Sequence, residues 1–106
     1  MVMWYMDPAD ANVWYEFDWS GTDPEGNPWL PTGVTIASYV VTTDGQTTLV
    51  AAQLGTSSSS GLANGSVFAQ LTSATGSQSV VSCRITTSEG VTYNTTKAIS
   101  ILTRVS

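Results

Sequence analysis

An all-β sandwich is the fold this chain predicts, on three observations. Ser and Thr fill 30 of its 106 positions and Val outnumbers Leu, a composition suited to a pleated, half-buried surface. Apolar and polar residues alternate with period two in one segment after another, and no amphipathic helical period is found. Turn signals recur about every 8–12 residues and separate seven expected strands, the spacing of a β-sandwich.

The chain opens with Met1-Val2-Met3-Trp4-Tyr5-Met6, six consecutive apolar positions closed by Asp7-Pro8. An apolar run at an open end frays and attracts other surfaces. Residues 1–6 therefore read either as a first strand or as an arm that pairs along a sheet edge, in its own or a neighbouring subunit. In the second reading Trp4 and Tyr5 are its buried anchors. The single sandwich domain occupies 7–106.

From Val13 the alternation is clear. Val13, Tyr15, Phe17 and Trp19 share one face and Trp14, Glu16 and Asp18 the other. The first face predicts core, the second solvent or an interface. Residues 21–33 hold Pro24, Gly26, Asn27, Pro28, Pro31 and Gly33, which marks a loop with turns. Val34 to Thr43 and Thr47 to Leu54 are strands, and the Asp44-Gly45 pair between them predicts a hairpin. Four successive serines within Thr56 to Gly61 predict a flexible surface connection that does not pack. Val67 to Thr72 is a short strand. Gln78 to Thr87 is the best central strand, and after the turn Ser88-Glu89-Gly90 a last strand, Val91 to Leu102, returns beside it. The expected core is Tyr15, Phe17, Trp19, Ile36, Val81, Cys83 and Ile85.

Charge excludes two classes of partner. Eight carboxylates stand against Arg84, Lys97 and Arg104, for a net charge of −5 and an isoelectric point near 4.1. Three scattered cations cannot neutralise a phosphate backbone, so no nucleic acid is expected, and an anionic membrane surface is disfavoured on the same ground. The apolar runs are too short to cross a bilayer, so a soluble protein is expected. The lone Cys83 allows no intrachain disulfide, and no secretory leader is evident, which predicts folding in a reducing cytosol. Without a secretory route the glycosylation patterns at Asn64 and Asn94 are chance matches.

Catalytic chemistry finds little to work with. Histidine is absent, which removes the commonest general base and metal ligand. Cys83 stands at an inward strand position, where a thiol behaves as a small hydrophobe. Glu16 and Asp18 lie two apart on one strand face, roughly 7 Å between Cα atoms by strand rise. Such a pair could serve glycoside hydrolysis, but no cleft is implied and acidic pairs are common on a solvated face. Asp23-Pro-Glu-Gly-Asn27 offers alternating oxygens that a calcium ion would accept, yet the terminal bidentate acid is missing and the motif is complete as a turn. No enzyme activity, cofactor or metal is therefore expected. The aromatics are more informative: four Trp and four Tyr exceed what one thin core takes. Met3, Trp4, Tyr5, Trp14 and Trp29 are the candidate interface residues. Two alternatives stay open: aromatics capping the ends of the core, and an exposed row that stacks on sugar rings.

Asp7-Pro8 followed by the strand Tyr15-Glu-Phe-Asp18-Trp19-Ser20 resembles the opening of small tailed-bacteriophage proteins described as fiber-tail adaptors. Thr35-Ile36-Ala37-Ser38-Tyr39-Val40-Val41 is similar to that family's Ile-x-Ser-x-x-Val strand. Ile85-Thr86-Thr87-Ser88-Glu89-Gly90-Val91-Thr92 is similar to its closing hairpin. The chain departs from the pattern at Tyr39, at Ser79 and in the longer segment 26–31. The resemblance, which spans most of 7–102, implies an immunoglobulin-like antiparallel sandwich. It also implies a non-enzymatic virion component, made in the bacterial host cytoplasm and docked in many symmetric copies. Its partners would be capsid, neck or tail-fiber subunits, with the chain as adaptor or decoration protein. A free carbohydrate-binding or adhesin-like sandwich is the second expectation.

Overall fold

Period-two alternation forces each strand to bury one face, and two sheets stacked face to face satisfy all of them at once. The computed structural model describes residues 4–7 and 9–102. It has strands β1 (Trp4–Met6), β2 (Val13–Asp18), β3 (Ile36–Thr43), β4 (Thr48–Gly55), β5 (Ser66–Thr72), β6 (Gln78–Thr87) and β7 (Thr92–Ile101). One sheet has the order β1-β7-β6-β3 and the other β2-β5-β4. The all-β sandwich expected from the sequence is the fold observed. One pairing departs from a wholly antiparallel arrangement: β1 runs parallel to β7, Trp4 beside Ile99 and Met6 beside Ile101. The apolar start of the chain is thus the edge strand of its own sheet.

Of the expected core, Phe17, Trp19, Ile36, Val81, Cys83 and Ile85 are buried. Tyr15 is only half-buried, packed against that core, because its hydroxyl reaches out to donate to the Tyr5 carbonyl at 2.8 Å. The largest group missed is the inward row of β5, Val67, Ala69 and Leu71, each fully buried. That strand lies between β2 and β4, so its inner face has neighbours on every side. Met6, Ile99 and Ile101 complete the core where β1 meets β7.

Two expectations are corrected. The Asp44-Gly45 turn does not make a hairpin, since β3 pairs with β6 and β4 with β5. The chain instead crosses between sheets at Asp44. Its carboxylate accepts from the Gln46 amide, the Ser79 hydroxyl and the Val80 amide, and its own N–H donates to the Val80 carbonyl. A short carboxylate that captures nearby amides stabilises a turn whichever strand follows, and here its bonds reach across to the start of β6. Gly45 supplies the left-handed backbone at φ 94°, which a Cβ would strain.

The serine run 57–60 does pack. Ser57 is 2% exposed, and it bonds Ser20 and Asp18 through its hydroxyl at 3.0 Å each. The segment winds into a turn closed by the Gly61 amide on the Ser57 carbonyl at 2.9 Å. Hydroxyls that seem featureless in sequence serve here as donors to the Asp18 carboxylate, and the Ser58 backbone amide donates to Glu16.

Candidate functional site

The two sheets are covered unequally along their shared side. β1 pairs only with Ile99, Ser100 and Ile101, leaving the earlier part of β7 as an edge. Unpaired strand edges invite wrong pairing and are commonly blocked by loops or inward-pointing charges. Both devices are present. Trp29, carried by the loop between β2 and β3, packs edge-on against Trp19 at 5.0 Å and Tyr93 of β7 at 4.9 Å. Lys97 projects from β7 into the opening, where it lines a cleft of about 370 Å³ with Asp18, Thr22, Asp23, Trp29 and Thr95 among others.

The same side houses Trp4. Its ring contacts Tyr15 at 4.8 Å and, edge-on, Phe17 at 4.9 Å. Such tilted and edge-to-face pairs are the favoured aromatic geometries. Trp4 thereby joins the β1 edge of one sheet to the β2 edge of the other. Trp4 and Trp29 are packed against the core, which matches the capping alternative. Tyr5 and Trp14 are the two displayed outward, 59% and 44% exposed. Within its own chain Tyr5 is therefore not a buried anchor. It stands on the outer side of the four-stranded sheet beside Ser100, whereas Trp14 stands on the outer side of the other sheet beside Gln70. The candidates do not form one patch. Met3 lies outside the described residues.

Sequence reasoning missed an aromatic on the Trp14 side. Phe68 of β5 faces outward opposite Glu16 and Gln53 and lies over Gly55, where an added Cβ would come within 2.5 Å of its ring. It lies two positions from Gln70, the partner of Trp14, so Trp14 and Phe68 are diagonal neighbours. The parity of β5 held the signal: Phe68 is out of phase with Val67, Ala69 and Leu71.

The acidic pair of β2 is saturated by donors. Asp18 accepts from the Ser20 amide and hydroxyl and from the Ser57 and Ser59 hydroxyls. Glu16 accepts from the Ser58 amide and the Ser66 hydroxyl. Burial pushes the Asp18 carboxyl upward, but the hydroxyls of Ser20 and Ser59, the Ser20 amide and the Ser57 hydroxyl outweigh it. The group is held below its ordinary 3.8. A pKa lowered in the fold means stability that is complete above the unfolded value and fades as pH falls through the folded one. Asp18→Asn should therefore lower the free energy of unfolding at pH 7, measured by urea denaturation, by less than about 1 kcal/mol because the group is mostly exposed. The difference from wild type should shrink as pH drops to about 2.5. An equal difference at both pH values would show that the ionised form is not the one stabilised.

Asp23 is engaged as a turn former, its Oδ1 accepting from the Glu25 and Asn27 amides at 2.9 Å each. Among the described residues no three His, Cys, Asp or Glu side chains gather as a cation site. Cys83 is buried and free, and burial pushes its thiol up to about 11 against the opposing Trp19 indole N–H. That N–H is itself buried without a hydrogen-bond partner, so it offsets little of the effect of burial. A thiol so far from ionising is a poor nucleophile at neutral pH. Comparison of the chain with protein-family models, curated proteins and solved structures finds no match in any of the three.

Proposed function

We propose that the chain is a non-enzymatic structural module of a tailed-bacteriophage virion, docked on the capsid, neck or tail-fiber junction. The observation that carries this reading is the display of large apolar side chains on both outer sheet faces: Tyr5, Val40 and Val80 on one, Trp14 on the other. Exposed aromatics on a rigid sheet suit a docking surface, because their burial supplies area at little entropic cost. The immunoglobulin-like part of the reading draws support from strand order. β2-β5-β4 and β7-β6-β3 reproduce the grouping of strands B-E-D and G-F-C in that fold. The first strand then pairs with the last. The resemblance of the Asp7-Pro8 and Asp18-Trp19-Ser20 segments to fiber-tail adaptors supplies the virion context.

Mass spectrometry of purified particles is the test. The chain should be present in them at a copy number that is a multiple of a capsid or tail symmetry. Its absence from particles, together with retention on a polysaccharide matrix, would replace the docking role with an adhesin-like one.

A further inference from the structure

Among the described strand residues, the outer face of the four-stranded sheet carries a single ionic group, Arg84. Across its centre the register aligns Val40 of β3, Arg84 of β6 and Asn94 of β7 in one row. The next row is Thr42, Ser82 and Thr96, with the last two hydroxyls 3.2 Å apart. The strand residues of this face include no carboxylate. Asp44 stands at one end, its oxygens taken by Gln46, Ser79 and Val80, and Glu89 lies in the turn beyond the other. Among the described residues Arg84 is exposed and its guanidinium makes no hydrogen bond or ion pair, whereas Lys97 shares its cleft with Asp18 and Asp23. Arg84 also lines a shallow groove of about 260 Å³ with Val40, Thr42, Ser82 and Asn94.

In a chain of net charge −5, this is the face over which an acidic surface meets attraction. Carboxylates stand elsewhere on the molecule, Glu16 and Asp18 on the opposite sheet and Asp23 and Glu25 in the loop after β2. A guanidinium offers a planar fork that a carboxylate can meet with two parallel hydrogen bonds. Arginine is also enriched among the residues that dominate interfaces, typically ringed by groups that exclude water. Val40, 57% exposed, and the short Thr, Ser and Asn side chains form such a ring, and little side-chain entropy is lost when they are covered.

We infer that this face is the docking surface for a carboxylate-bearing protein partner, with Arg84 as the central contact. The inference rests on the virion role proposed above and names the face and the chemistry through which that role is exercised. Particles assembled with each variant as the sole source of the chain test it. Arg84→Glu should reduce occupancy at least tenfold, Arg84→Lys should fall between, and Gln53→Glu on the opposite face should match wild type. All three should keep the wild-type urea midpoint. Retention of the wild-type chain should also weaken as salt rises, since an arginine–carboxylate contact at an accessible face is screened. Arg84→Glu at full occupancy overturns the docking assignment and leaves the virion role intact. Absence of the wild-type chain from particles overturns the role itself. Occupancy that is lost in Arg84→Glu but indifferent to salt indicates a glycan or other uncharged surface and overturns the carboxylate partner.

Discussion

Replacing Phe17 by alanine is expected to lower the free energy of unfolding by about 3–5 kcal/mol, the usual range for emptying an aromatic core position. Phe17 is 1% exposed, faces Trp4 edge-on at 4.9 Å and pairs across the sheet with the fully buried Val67. The cavity would open between two sheets held by ladder hydrogen bonds, so it cannot close by a simple side-chain shift. Trp14, three residues earlier on the same strand but outward, provides the contrast. Trp14→Ala should cost about 1 kcal/mol or less, as expected for a surface position. Urea denaturation of both variants measures the pair. Comparable losses would mean that the strand is turned over, because a one-residue slip exchanges its two faces.

That parity was legible in the sequence because Val13 to Trp19 alternates without interruption. The same holds for Gln78 to Thr87, whose bounds agree with β6. Legibility failed where local chemistry serves more than one geometry. Asp-Gly is as good at a crossover between sheets as at a hairpin, and only the long-range partners of β3 and β4 distinguish the two. The serine run is the second case. Four serines carry no pattern, and their order comes from carboxylates some forty residues away in the chain. β3 is a third, since a register shift between Ile36 and Ser38 moves Ile36 and Val41 to the same buried face. Strict alternation puts those two on opposite faces. Among the interface candidates, the sequence could not separate Trp4 and Trp29, which cap the core, from Tyr5 and Trp14, which are displayed. All four follow or flank apolar neighbours, and the distinction depends on which sheet edge each one meets. The Arg84 face was hidden for a related reason: its rows are drawn from β3, β6 and β7, and no single segment contains them.

Removing residues 1–6 should destabilise the domain strongly, because β1 is part of the sandwich. Met6 is 1% exposed and its carbonyl accepts from the Leu102 amide at 3.0 Å. Loss of a buried methionine side chain alone costs about 2–5 kcal/mol, and the truncation also strips Trp4 from Tyr15 and Phe17. The total approaches the whole stability of an ordinary small domain, about 5–15 kcal/mol. Circular dichroism and urea titration of the truncated chain should show a large fall in midpoint or an unfolded product. Met6→Ala distinguishes packing from strand pairing. It keeps the parallel ladder with β7 while emptying the core position, so it should fold, with a midpoint between the truncation and wild type. A truncated chain with the wild-type midpoint would return β1 to the role of a dispensable arm. In that event Tyr15, whose hydroxyl donates to the Tyr5 carbonyl, would have to find its partner elsewhere.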